Sequence, residues 1–227
     1  LESGVLGEKR IMVLQPRRIA ARMLAARVAK ERGQRLGGEV GYQVRFENVS
    51  SRDTRLMYVT EGVMLRHLLD DPDLAKVGCV IIDEFHERHL DGDLCLAFAR
   101  ALQRTRRPDL KIIVMSATLV PGPLGEFLAP STLLESQGRT FPVEARYQPP
   151  VKTKLGYDEF IWDQAARACE GLLGTPGFDG DILVFMPGGH EIRKTIAALS
   201  GRGFTRGCRI VPLHGELPPD QQDAAVA

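Results

Sequence analysis

The sequence predicts an α/β protein built on parallel sheet, with two strand-and-helix runs in tandem. Three observations lead there. The run Val77-Gly78-Cys79-Val80-Ile81-Ile82 is apolar without polar alternation, as expected of a strand covered on both faces. Leu110 to Met115 (L-K-I-I-V-M) has similar character. Strand-like and helix-like stretches alternate along the chain, pause at the proline-bounded stretch Pro142 to Pro150, and then resume. In such sheets ligands gather at the carboxyl ends of the strands, so the residues that follow each run are the ones to examine for chemistry.

The elements follow in order. Leu1 to Gly7 (L-E-S-G-V-L-G) reads as the end of a helix with its glycine exit, so further chain is expected before it. Arg10 to Gln15 is a short buried strand. Pro16 then starts a helix through Arg32, with Gly33 as its stop. Ile19, Ala20, Met23 and Leu24 are expected on its inward face, with Arg18, Arg22 and Arg27 largely elsewhere. Gly41 to Phe46 alternates like a strand, Asn48 to Asp53 is a polar turn, and Arg55 to Thr60 is another strand. A helix follows to about Leu69, stopping at Asp71-Pro72, with Thr60 suited to its N-cap. The next helix spans about Leu90 to Arg104. Pro121 to Phe141 is looser, and Pro142 to Pro150 is a crossing strand and linker that marks the domain boundary. Beyond it come a helix from about Tyr157 to Leu173, a strand Asp181 to Met186, and the turn Pro187-Gly188-Gly189. A helix from about His190 to Leu199, a strand Arg209 to Leu213 and the start of a helix within Pro218 to Ala227 complete the chain.

Composition sets the class. At 227 residues, 44% apolar and 26% charged, the chain reads as a soluble globular protein of one large or two modest domains. It has no apolar stretch of membrane-spanning length and no signal-peptide pattern, which predicts a cytosolic protein with no membrane partner. Cys79, Cys95, Cys169 and Cys208 are scattered without a C-x-x-C pair, so buried reduced thiols are expected rather than a disulfide framework or zinc knuckle. Net charge is only +1, but nine Lys or Arg residues lie between Lys9 and Arg35 against the single acid Glu31. That stretch is either an anion-attracting stripe or a solvated helix face.

The strongest chemical signal is Asp83-Glu84 at the end of the Val77 to Ile82 run. Adjacent carboxylates repel each other and lose hydration there, so a cation or a substrate proton is expected to compensate them. Magnesium suits the pair, because it keeps several waters and needs only one or two protein carboxylates beside substrate phosphates. Asp83 would hold the metal and Glu84 the attacking water. Two other readings stand beside this one. Acidic residues also open helices, where they favour the dipole. His86, Glu87, His89, Asp91 and Asp93 raise the question of zinc, but the histidines stand at i and i+3 with the glutamate between them, unlike H-E-x-x-H. Ser116-Ala117-Thr118, at the end of the other apolar run, offers two hydroxyls to the acidic loop or serves as an ordinary turn. Arg17 and Arg18 sit at a strand-to-helix turn on the same ligand-binding edge.

Taken together these segments resemble the DEAH/RNA helicase A group of superfamily two helicases, most closely the bacterial HrpB type, over essentially the whole chain. Gln15-Pro16-Arg17-Arg18-Ile19-Ala20-Ala21 looks like motif Ia and Thr60-Glu61-Gly62 like motif Ib. Asp83-Glu84-Phe85-His86 looks like motif II, with Phe in place of the usual Ala as in the HrpB type. Ser116-Ala117-Thr118 is similar to motif III and Phe185-Met186-Pro187-Gly188 to motif IV. The resemblance implies two RecA-like domains, both incomplete. These are 1–141 as the first, 142–156 as linker and crossing strand, and 157–227 as the start of the second. It implies that Asp83 helps hold Mg2+ and that Glu84 polarises the water attacking ATP. His86, Ser116 and Thr118 would couple nucleotide state to domain closure. Arg17, Arg18, Thr60 and Gly188 would contact the backbone of single-stranded RNA or DNA, in a salt-sensitive mode that ignores base sequence.

Departures from the pattern matter equally. The sequence holds no G-x-x-x-x-G-K-[ST] phosphate loop and neither motif V nor motif VI; Gly138-Arg139 and Gly201-Arg202 lack the context of the latter. The expectation is an incomplete helicase core that by itself hydrolyses ATP negligibly, because nothing in it positions the phosphate. The competing expectation is a non-catalytic nucleic-acid-binding protein that kept the RecA-like fold. A metal hydrolase around His86 and His89 is the third.

Overall fold

A computed structural model of the chain describes residues 3–118, 121–136, 138 and 141–226. The chain divides into two compact units, Leu1–Gln137 and Gly138–Ala227. Of Leu1 to Gly7, expected as the end of a helix and its glycine exit, Leu1 and Glu2 lie outside the described residues, and Ser3 to Gly7 form turns with positive φ at Gly4 and Gly7.

In the first unit the order is β1 (Arg10–Gln15), α1 (Arg18–Glu31), β2 (Val40–Val44), β3 (Glu47–Val49), β4 (Leu56–Thr60), α2 (Glu61–Asp70), β5 (Val77–Ile82), α3 (Leu90–Thr105), β6 (Lys111–Val114) and α4 (Pro121–Leu128). One six-stranded sheet runs β3-β2-β4-β1-β5-β6. β1 lies between β4 and β5 and pairs with both in parallel; β2–β4 and β5–β6 are parallel as well. The carboxyl ends of β1, β4, β5 and β6 therefore open on one edge.

Because side chains alternate across a strand, the two faces collect different residues. Met12, Leu14, Met57, Val59, Val80 and Ile82 enter one cluster with Met64 of α2 and Cys95, Leu96 and Leu102 of α3. Val13, Tyr42, Val44 and Tyr58 enter the other with α1. The inward stripe of α1 is Ala21, Ala25 and Ala29, with Leu24 and Val28 beside it. Of the four residues expected inward only Leu24 belongs to it, and Met23 lies outward. Alanines at i, i+4 and i+8 bring the helix axis close to the sheet, whereas larger side chains would hold it off. β6 is an edge strand on which Ile113 stays 45% exposed, so the second apolar run is covered on one face rather than two.

Two further expectations are corrected in this unit. Asn48 and Val49, expected to open the polar turn Asn48 to Asp53, belong instead to the antiparallel strand β3, joined to β2 by the two-residue turn Arg45-Phe46. Phe46 takes the positive φ of 68° that Asn or Gly normally supplies there, so the turn carries no sequence signature. Pro121–Leu128, within the stretch expected to be loose, is helix α4; its prolines fall in the first turn, where the missing N–H is no loss.

The second unit contains α5 (Ile161–Leu173), α6 (Gly189–Leu199) and α7 (Pro219–Val226). Ala166 and Cys169 of α5 and Leu199 of α6 form its buried centre, with Ile182, Val184, Phe204 and Ile210 packed against them. Among the described residues the segments Asp181 to Met186, Arg209 to Leu213 and Pro142 to Pro150, expected as strands, pair in no ladder. Ile182 and Val184 face the helices while Leu183 and Phe185 are 70% and 84% exposed. Patterning has placed one face of a strand, but among the described residues no neighbouring backbone completes it.

Candidate functional site

The acidic loop is held to the sheet by backbone bonds from two neighbouring strands. The amide of Asp83 donates to Leu14 O at 3.2 Å, extending the β1–β5 ladder by one residue. Phe85 N donates to Met115 O at 3.1 Å and Met115 N to Ile82 O at 2.8 Å. Gln15, 1% exposed at the end of β1, donates from Nε2 to Asp83 Oδ2 at 2.6 Å. The other oxygen, Oδ1, accepts the amide of Glu84 at 2.9 Å. Asp83 is thus oriented from both sides while each oxygen retains a second lone pair.

Glu84 then turns the chain off the sheet with φ 52° and ψ 34°, and Arg88 does so again at φ 51° and ψ 57°, bracketing a single 3₁₀ turn, Phe85–Glu87. A left-handed conformation costs a non-glycine residue roughly 1–2 kcal/mol, and strain of this kind clusters at working sites. The turn leaves the Glu84 carboxylate exposed at the sheet edge. His86 follows, its Nδ1 3.4 Å from Glu84 Oε2 and 3.4 Å from the amide of Ala117. These two contacts are alternatives. A bare Nδ1 accepts the Ala117 N–H, and a protonated Nδ1 donates to Glu84. The Ser116 hydroxyl accepts Thr118 N at 3.3 Å within its own turn, so the Ser116–Thr118 segment touches the acidic loop through a backbone amide and not through its hydroxyls.

A second line of side chains crosses the same edge. Arg17 Nη2 lies 3.2 Å from Glu87 Oε1, Glu87 Oε2 lies 3.6 Å from His89 Nε2, and His89 Nδ1 lies 3.5 Å from Glu61 Oε2. Burial pushes the Glu61 carboxyl above its ordinary value, opposed by the charge of His89 and reinforced by that of Asp91. Burial, with Glu61 and Asp91 adding to it, pushes the Cys95 thiol to about 12, so Cys95 behaves as an inert core residue. Arg18 is exposed and its Nη2 reaches Arg45 O at 3.3 Å. Thr60 occupies the N-cap position of α2 but makes no capping bond. Gly188 caps α6 in the second unit in an extended conformation open to any residue; a Cβ there would lie 3.3 Å from Glu191 Oε2.

Among the described residues no three His, Cys, Asp or Glu side chains converge as a metal cage. The donors at Asp83 fit magnesium, a hard ion completed by water and phosphate oxygens, and not a zinc site closed by protein ligands. Nor is any helix among the described residues long and apolar enough to cross a membrane.

A parallel sheet whose carboxyl edge carries a braced pair of carboxylates, a histidine facing the next strand's exit and exposed arginines is the RecA-like α/β arrangement of phosphate-handling proteins. Residues 5–124, more than half of the chain, match the family model described as DEAD/DEAH box helicase, and the chain belongs to that family. It is 40% identical over 223 residues to the ATP-dependent RNA helicase HrpB of Escherichia coli (strain K12), covering 98% of this chain and 26% of the relative. It is 43% identical over 190 residues to the probable ATP-dependent RNA helicase DHR2 of Saccharomyces cerevisiae, covering 83% and 25%. The crystal structure of the E. coli DEAH/RHA helicase HrpB superposes with a TM-score of 0.80 at 39% identity, over 96% of this chain and 27% of that one. The chain thus spans about a quarter of the length of each of these relatives.

The structure brings Asp83, Glu84, His86 and the Ser116–Thr118 turn together, with Arg17, Arg18 and Thr60 along the same edge; Gly188 belongs to the other unit. Sequence reading weighed Glu87 only as a zinc ligand, and it placed Gln15 and Glu61 within motif stretches without a role of their own. For Gln15 a signal existed, since an amide closing a buried strand needs a partner. For the Arg17–Glu87 and Glu61–His89 pairs there was none, because the partners are 70 and 28 residues apart.

Proposed function

We propose that these residues form part of the core of an ATP-dependent RNA helicase, in which nucleotide hydrolysis drives movement along a single strand. The observation that carries this reading is the continuous line Gln15–Asp83–Glu84–His86–Ala117, which joins the ends of β1, β5 and β6. Asp83, fixed by Gln15 and the Glu84 amide, presents its free lone pairs to magnesium. When bound, that ion neutralises charge on the phosphate oxygens. Glu84, exposed and unencumbered by the sheet, orients a water and accepts its proton. His86 exchanges its Nδ1 between Glu84 and the Ala117 amide, so a change of charge at Glu84 is felt at the end of β6. Arg17, Arg18 and Thr60 of the first unit bind backbone phosphates without reading bases, and Gly188 of the second unit, taken by itself, is a further backbone contact.

Binding of a fluorescein-labelled oligouridylate tests this reading. An Arg17→Ala, Arg18→Ala double variant should bind about tenfold or more weakly at low salt, and its dependence of log affinity on log salt should flatten by about 2. Equal binding by the double variant and the parent chain would remove these arginines from the strand site. An oligodeoxythymidylate measured in parallel reports whether RNA is preferred.

A further inference from the structure

We propose that Glu87 is a built-in competitor for the nucleic-acid strand, a positioning residue that holds Arg17 until a backbone phosphate displaces it. The inference rests on the reading of Arg17 as a phosphate contact and goes beyond it.

Glu87 has two carboxylate oxygens and two basic neighbours, Arg17 and His89. Oε1 faces Arg17 Nη2 at 3.2 Å and Oε2 faces His89 Nε2 at 3.6 Å. The Arg17 side chain is 69% exposed and that of Glu87 24%, so the pair sits where incoming phosphate can reach it. Exposed ion pairs are worth little because water screens them, so this one can be exchanged. When phosphate takes Arg17, the displaced carboxylate already has a second partner in His89. His89 is itself held from the far side by Glu61 at 3.5 Å. Strand binding is therefore a partner exchange along Arg17–Glu87–His89–Glu61.

Glu87 belongs to the 3₁₀ turn that starts at Phe85, and its amide donates to Glu84 O at 2.9 Å, which fixes the backbone from which its side chain reaches Arg17.

The experiment uses the full chain, the labelled oligouridylate and no nucleotide, with folding of each variant checked by circular dichroism. Glu87→Gln should bind roughly two- to fivefold more tightly than the parent, the range an exposed ion pair spans. Glu87→Asp keeps the charge but shortens the reach, and it should also tighten binding. In an Arg17→Ala background neither substitution should have any effect. Damage to the fold lowers affinity, so a gain that depends on Arg17 is the diagnostic result. If Arg17→Ala weakens binding while Glu87→Gln leaves it unchanged, the competitor role is overturned and the strand-site reading stands. If Glu87→Gln tightens binding equally with and without Arg17, the effect is general repulsion of a polyanion and the exchange is again overturned. If Arg17→Ala changes nothing, the reading of Arg17 as a phosphate contact fails, and the competitor role fails with it.

Discussion

The two units contain the same kind of sequence and reach different degrees of order. In the first, β1 and β4 each have a strand on both sides and are packed on both faces, so Leu14 and Val59 are fully buried. In the second, the apolar segments Asp181 to Met186 and Arg209 to Leu213 lie against α5 and α6 on one face and form no ladder. The contrast shows what hydrophobic patterning can and cannot do. It selects the face a segment turns inward, whereas a parallel sheet also needs backbones from distant parts of the chain in register. A functional site that depends on strand ends is therefore sharp in the first unit, where Gln15 reaches Asp83 across two paired strands, and limited to the Gly188 turn in the second.

The largest expected difference is in amide hydrogen exchange. Amides of Met12 to Leu14 and Val80 to Ile82 should exchange at least about a thousandfold more slowly than those of Ile182 to Phe185, because sheet centres open only with global unfolding. Equal protection would mean that the second unit completes a ladder in solution, and the contrast between the units would collapse.

Next in size is core truncation. Leu14→Ala, at a fully buried central-strand position, should destabilise the first unit by about 3 kcal/mol or more. Leu199→Ala, in the small cluster with Ala166 and Cys169, should cost roughly 2 kcal/mol, at the low end for such changes. Urea unfolding followed by exchange-resolved mass spectrometry assigns each loss to its unit. A larger loss from Leu199→Ala would reverse the ranking.

The smallest effect is a pH dependence confined to the first unit. His67 Nε2 lies 2.9 Å from Gln43 Oε1, linking α2 to β2, and burial lowers its pKa from the ordinary 6.5. The folded unit keeps His67 neutral while the unfolded chain takes up a proton as pH falls through 6.5, so stability is lost on acidification. Glu61, with its raised pKa, works in the opposite direction. The informative comparison is therefore His67→Gln against the parent at each pH from 7 to 5. The gap between them should change in the variant's favour as pH falls; a constant gap would show that His67 ionises alike in both states.

Much of the first unit is legible in its sequence, and the reasons are local. β1 and β5 lie where uninterrupted apolar runs put them, and α3 and α6 depart from expectation by a residue at one end. The acidic pair and the Ser116–Thr118 turn stood out because polar residues followed directly on apolar runs. The β2–β3 hairpin escaped because Arg45-Phe46 is not a turn-forming pair, and the stripe on α1 escaped because alanine is apolar enough for either face. Partners within the site were beyond reach for a different reason. Gln15 and Asp83 are 68 residues apart, Arg17 and Glu87 are 70, and no periodicity relates them.

The sequence by itself determined which segments would be buried, where they would end, and which carboxylates, histidines and arginines would stand at those ends. Burial and chain reversal are written in runs and breaks of a few residues. Tertiary structure alone decided that Gln15 would brace Asp83, that His86 would face the Ala117 amide, and that Glu87 would stand between Arg17 and His89. Each of those contacts depends on strand order and register, which are settled only when distant backbones pair.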